Sequence, residues 1–236
     1  MHVFWAGALA AGLLASPGST PDGQPEAVSP SARIVIDVGH GGVDGGTTYG
    51  TILEKDINLA VGLKLHSVLQ SRRVPTSINR IKDYALSDDN PGKNGGRHRR
   101  DLAQRVEIAN KLKPAFMLSL HVNWTTNPSR SGPLVIYCKN QQAGKRLALR
   151  LQQELNRLYD TNTEPVASKS YYVLTHSRVP AVIVEMGFLS NKKDRQLLLS
   201  PQFQQKLADA IAKASMDALK EDFPSSAGSK KNRAAK

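Results

Sequence analysis

Between residues 33 and 220, short β-branched runs alternate with longer stretches whose apolar residues recur every three or four positions. Few architectures satisfy that alternation: strands linked by helices form a mostly parallel sheet buried on both faces, an α/β/α layer fold. Strands are predicted at 33–37, 74–79, 116–121, 134–137, 171–174 and 181–185, making a six-stranded sheet flanked by helices on both faces. Helices are predicted at 55–71, from about 101 to just before Pro114, at 143–158 and at 201–219. The first carries Ile57, Val61, Leu65 and Val68 on one face, the third Leu147, Leu151, Leu155 and Leu158, and Pro201 suits the first turn of the last. Residues 83–96, rich in Gly, Asn and Asp, read as an exposed loop. No internal repeat is visible, and one folded domain is expected over 33–221.

The flanks have a different character. Residues 3–15 are almost continuously apolar, too short to span a bilayer comfortably but the length of a signal-peptide core, and a Pro/Ser/Gly linker follows. The run is preceded by no Lys or Arg and followed by no clean small-x-small cleavage site, so residues 1–32 read as a signal peptide or an uncleaved N-terminal anchor plus linker. Either implies export. Residues 222–236, with Lys230, Lys231, Arg233 and Lys236 in a Ser/Ala/Gly-rich run, read as a basic disordered tail. The tail holds part of a net charge of +12 that favours polyanionic partners. Cys138 is the sole cysteine, which excludes an intrachain disulfide, a Cys-rich zinc ribbon and an iron–sulfur cluster, and it reads as a small core residue. A chain of 236 residues supports a core without a metal staple, so a bound metal serves chemistry.

In open α/β sheets, reactive groups gather beyond the carboxyl ends of the strands. Three ends carry such groups: Gly39-His40-Gly41-Gly42, Ser119-Leu120-His121-Val122-Asn123, and Val184-Glu185-Met186-Gly187-Phe188. Glu54 stands just ahead of the first helix. Two histidines and a carboxylate suit a catalytic zinc ion, and a further carboxylate then moves protons. Taken singly, each has a plain structural reading: His121 a satisfied strand-end histidine, Glu54 a helix first-turn carboxylate, the glycines around His40 a tight turn. His66 and His98 read as surface positions, His176 as a turn residue, and His2 lies in the leader.

Taken in order, the strings resemble one family. Ile36 to Gly42, Leu53-Glu54-Lys55-Asp56, Asp101-Leu102-Ala103-Gln104-Arg105 to Asn110, Ser119 to Asn123, and Pro180 through Glu185 to Asn191 are similar to the zinc-dependent N-acetylmuramoyl-L-alanine amidases. Within it, Leu-Glu-Lys-Asp, Arg99-Arg100-Asp101-Leu102 and Glu185 to Asn191 look most like the germination-specific amidases of spore formers. The resemblance implies that His40, Glu54 and His121 hold zinc and that Glu185 is the catalytic carboxylate. Val38 and Val122 stand where the family commonly has proline and alanine; both flank ligands without being ligands. Asp37 and Asp44 are read as acceptors that orient the histidine rings, and Arg105 and Asn110 as substrate contacts or packing residues. Some relatives carry an inhibitory helix between the second strand and the following helix; here that connection, 81–100, is short and polar, so no such plug is expected.

The implied reaction is hydrolysis of the amide between the lactyl group of N-acetylmuramic acid and L-alanine, in spore cortex or cell-wall remodelling outside the cytoplasm. The partners implied are peptidoglycan glycan strands with their stem peptides, together with the membrane where the N-terminus is retained as an anchor. A protein activator is left open. A non-catalytic basic wall-binding scaffold would also be exported, but has no use for His40, His121, Glu54 and Glu185 together. Another zinc peptidoglycan hydrolase, a peptidase or deacetylase, stays open as a class although no H-E-x-x-H occurs. Nucleic acid is not an expected partner, since neither an aromatic stacking strip nor zinc-finger spacing accompanies the charge.

Overall fold

The computed structural model describes residues 31–87 and 96–223. The leader and linker up to residue 30, the basic tail from 224, and the centre of the 81–100 connection lie outside the described residues. Among the described residues, no helix is long and apolar enough to cross a membrane.

Strands β1 (Ile34–Val38), β4 (Thr76–Ile78), β5 (Phe116–Asn123), β6 (Leu134–Cys138), β7 (Val166–Ser168) and β8 (Ala181–Phe188) form one six-stranded sheet in the order β4-β1-β5-β8-β6-β7. The four strands β4, β1, β5 and β8 are parallel, as the predicted alternation requires. β6 turns against β8 and takes β7 with it. A hairpin of β2 (Thr48–Tyr49) and β3 (Ile52–Leu53) leads into α1 (Glu54–Ser71). The remaining helices are α2 (Gly96–Leu112), α3 (Gln142–Tyr159), α4 (Tyr172–His176), α5 (Lys192–Leu198) and α6 (Pro201–Glu221).

Successive strand residues point to opposite faces, and this parity divides the core. Ile34, Ile36, Val38, Leu118, Leu120, Val182 and Val184 pack with α1, α3 and α6, while Val35, Met117, Ala181 and Ile183 pack with α2 and α4. Asp37, Ser119, His121 and Glu185 continue the second series, so they arise on the face covered by the shorter pair of helices, at the strands' carboxyl ends. On the first face α1 approaches the sheet at Gly62, where a Cβ would lie 2.6 Å from Val38 Cγ2. Alanine is favoured over glycine in a helix by about 1 kcal/mol, whereas overpacking costs about 1–3 kcal/mol, and a contact that short puts the cost ahead. Gly62→Ala is expected to lower stability by about 1 kcal/mol net in urea denaturation; a higher midpoint would show that α1 slides freely on β1.

Four expectations are corrected. Residues 171–174 read as a strand but lie mainly in α4: Tyr172 stacks on His176, with ring centroids 3.8 Å apart, a pairing that only helical spacing allows. His176 accordingly ends that helix rather than a turn. The sixth strand is instead β7, three residues of which two are exposed, too short for a periodic signal. Helix α2 starts at Gly96, ahead of the Asp101 start read from the apolar spacing: residues 97–100 are Arg, His, Arg and Arg and carry no apolar period to mark the first turn. His66 is fully buried rather than superficial, its Nε2 3.3 Å from the Thr76 carbonyl oxygen, and burial depresses its pKa. Cys138 is half-buried and packs against the α2/α4 core, as expected of a small core residue.

Candidate metal centre

The chain leaves β1 through Gly39, where a Cβ would sit 2.5 Å from His121 Cε1, so the residue preceding His40 can only be glycine. His40 itself has φ = 60°, a left-handed conformation that costs an L-residue about 1–2 kcal/mol. The ring is thereby turned over the carboxyl end of the sheet, where His40 Nε2 lies 3.2 Å from Glu54 Oε1. His121, near the end of β5, brings Nδ1 to 2.9 Å from the same oxygen, and the two imidazoles meet edge to face with centroids 5.0 Å apart. One ligand atom from each of His40, Glu54 and His121 falls within 4.8 Å of the other two.

Glu54 is fixed from several sides. Oε1 accepts from Val122 N (3.0 Å) and Asn58 Nδ2 (3.3 Å), and Oε2 accepts from Thr47 N (2.8 Å) at the entry to the β2–β3 hairpin. Burial opposes its charge, yet His121 and His40 hold the carboxyl far below the usual carboxylate range. His40 loses some basicity to burial but is pushed up to about 9 by Asp44 and Glu54. Two imidazole nitrogens sharing one buried carboxylate oxygen form a donor set that matches a small divalent cation, in the residue types that zinc takes. In the glycine turn, a Cβ on Gly46 would come within 2.6 Å of both Glu54 Oε2 and His40 Cδ2, so the chain has cleared the space around these donors.

Glu185 stands beside His121 in the β5–β8 register, with Leu134 of β6 on its other side. It is buried, Oε2 has no hydrogen-bond partner, and burial pushes its pKa up to about 7. It therefore differs from Glu54 in environment: one carboxylate is locked in its charged form, the other is poised between forms. All four groups line a cavity of about 600 Å³.

Asp44 Oδ1 lies 3.0 Å from His40 Nδ1, an ion-pair contact across the turn. Asp37 does not touch either histidine. Its Oδ1 accepts from Arg105 Nη1 (2.7 Å) and Asn79 Nδ2 (2.6 Å), and its Oδ2 from Ser119 Oγ (2.6 Å), so it anchors a buried network below the site. Arg105 is part of that network rather than a surface substrate contact, with further bonds to Asp101 Oδ2 (2.6 Å), Val38 O (2.7 Å) and His40 O (2.8 Å). Asn110 lies apart from the metal ligands, pairing with the backbone of His176 and Arg178. Three residues without an assigned role, His98, Trp124 and Tyr171, line the cavity, and all three are exposed. Trp124 follows His121 by three residues, the only hint of its position that the sequence carried.

A model of the N-acetylmuramoyl-L-alanine amidase family matches residues 34–216. The germination-specific N-acetylmuramoyl-L-alanine amidase of Bacillus subtilis (strain 168) is 32% identical over 181 residues, 76% of this chain and 76% of that protein. Among solved structures, the CwlD amidase from Clostridioides difficile in complex with the GerS lipoprotein aligns with a TM-score of 0.75 at 32% identity, over 79% of this chain and 98% of that one. The amidase AmiC2 of Nostoc punctiforme aligns with a TM-score of 0.69 at 28% identity, over 80% of this chain and 98% of that one.

Proposed function

The chain belongs to the N-acetylmuramoyl-L-alanine amidase family, and from that membership we propose that His40, Glu54 and His121 hold a catalytic zinc ion while Glu185 moves the protons of the reaction. The enzyme hydrolyses the amide joining muramic acid to L-alanine in peptidoglycan. The observation that supports this division of labour is the contrast between the two buried glutamates: Glu54 is enclosed by donors, whereas Glu185 Oε2 is free to accept a proton. When bound, zinc supplies Lewis acidity for the lactyl carbonyl and makes water a stronger acid.

The rest is done by the chain. Glu185 accepts one proton from the attacking water as the water oxygen bonds to the carbonyl carbon, then delivers it to the alanine nitrogen as the C–N bond breaks; the new lactyl carboxyl group gives up the water's second proton, which the freed amine takes up, so the products are a lactyl carboxylate and an ammonium group. Asp44 holds the His40 ring from behind, which keeps Nε2 directed toward Glu54 and His121. Trp124 and Tyr171 offer flat apolar surface along the cavity for substrate.

In this reading residues 33–221 are the catalytic unit, preceded by an export signal or anchor over 1–32 and followed by a basic tail over 222–236, and the enzyme acts outside the cytoplasm. Likeness to a germination-specific amidase favours spore cortex as the natural wall. The complex formed by the Clostridioides difficile relative favours a protein partner at the membrane. Digestion of purified vegetative peptidoglycan and spore cortex, followed by mass analysis, tests the reaction. Expected products are stem peptides beginning with a free L-alanine amine and glycan strands bearing unsubstituted lactyl groups, released faster from cortex. Cleavage within the peptide, or loss of acetyl groups, would overturn the assigned chemistry; equal rates on both walls would remove only the cortex preference.

A further inference from the structure

Resting on the zinc reading above, we propose that Arg80 is a positioning residue for the metal centre: its guanidinium ties the backbone beside His40 to the backbone beside Glu54 and so sets the distance between these two ligands. Arg80 follows β4 and its side chain is fully buried, unusual for a group that stays charged at neutral pH. Its Nη2 donates to Gly39 O (3.1 Å), one residue before His40, and to Lys55 O (2.7 Å), one residue after Glu54. Nε donates to Val38 O (3.3 Å) and Nη1 to Lys82 O (3.3 Å). One planar group thus spans the exit of β1 and the first turn of α1, the two elements that deliver His40 and Glu54.

All these acceptors are neutral carbonyls. A buried charge without a hydrogen-bonded carboxylate is expensive, and an apolar side chain of similar volume would serve the core at least as well. Burial, with the neighbouring Arg105 charge, lowers the Arg80 pKa to about 10, in keeping with that cost. Arg105 has a different role, because Asp37 and Asp101 neutralise it. The strained turn at His40 also explains the arrangement: a left-handed residue keeps its place only where its surroundings over-determine it. Carbonyls of Val38, Gly39 and His40 are each gripped by an arginine. Gly41 closes over Arg80, where a Cβ would lie 3.1 Å from Cδ and Nε.

The test uses the full chain stripped of metal and titrated with zinc against a chromophoric chelator, alongside thermal unfolding of each metal-free protein. Arg80→Met is expected to weaken zinc binding about 10–100-fold, the scale lost when groups supporting metal ligands are removed. Leu151→Ala, a core truncation on α3, serves as a control that lowers the melting temperature and leaves zinc affinity at the wild-type value. Wild-type affinity in Arg80→Met, or a loss no greater than that of Leu151→Ala at equal thermal destabilisation, would overturn the proposal. If Arg80→Met does not fold, Arg80→Gln decides in the same way: weaker zinc binding with secondary structure intact supports the role, and unchanged binding refutes it. Failure of the wild-type chain to bind zinc would count against the metal reading itself, separately from Arg80.

Discussion

Glu185→Gln is expected to cut peptidoglycan hydrolysis by about 10²–10⁴-fold, the contribution typical of a general acid–base group, with zinc content unchanged. The substitution keeps the shape of a side chain packed between β5 and β6 and removes the capacity to carry a proton. A base works when deprotonated, so activity should fall as pH drops through the Glu185 titration. That titration lies at about 7 in the metal-free protein and lower when a cation is bound beside it. The sign for stability is opposite. A carboxyl whose folded pKa is raised contributes stability below its unfolded value and loses it as pH rises through about 7. Metal-free Glu185→Gln should therefore melt higher than wild type at pH 8. Near-wild-type turnover with zinc bound would move the proton-transfer role to another carboxylate. Asp44 is the first to test, although its contact with His40 holds it well below the usual carboxylate range.

His121→Ala should lose both zinc and activity, with circular dichroism close to wild type. The apolar layers on either side of the sheet are complete without an ion, so chelation should likewise abolish hydrolysis and spare the secondary structure. Glu54→Gln should behave as a weaker version of the same defect. The amide retains an oxygen for Thr47 N or Val122 N but loses the charge that both histidines face, so zinc affinity drops and excess metal restores part of the rate. Metal content by atomic spectroscopy and activity over a zinc titration separate these outcomes. Global unfolding on chelation would show instead that the ion is structural.

The legible features were those that one element encodes alone. Ile34, Val35 and Ile36 announce a buried strand by composition, and a strand ending in glycine and histidine announces a site because the layered topology collects such ends. His66 reads as a surface position in the sequence because nothing within α1 shows that β4 covers it at Thr76. The Tyr-Tyr-Val-Leu run reads as a strand because aromatic and β-branched residues favour strands, whereas the structure forms a helical turn with an i, i+4 ring stack. Asp37 adjoins the glycine turn in sequence, yet its partners are Asn79, Arg105 and Ser119, all distant in the chain. Arg80 lies in a polar stretch where a basic residue ordinarily faces water, and only the fold reveals that it is enclosed.

The sheet register also bears on how activity arises during translation. β1 is bordered by β4 and β5, while β8, made much later, completes the other side of β5. A nascent chain that has delivered His40, Glu54 and His121 to the ribosome exit already holds every proposed metal ligand but has no strand to bring Glu185 beside them. Truncated products ending before β8 would lack both the strand that borders β5 and the helix α6 that packs with α1, so the elements bearing His121 and Glu54 are covered, and hydrolytic competence arrives, only when synthesis of the domain is nearly finished.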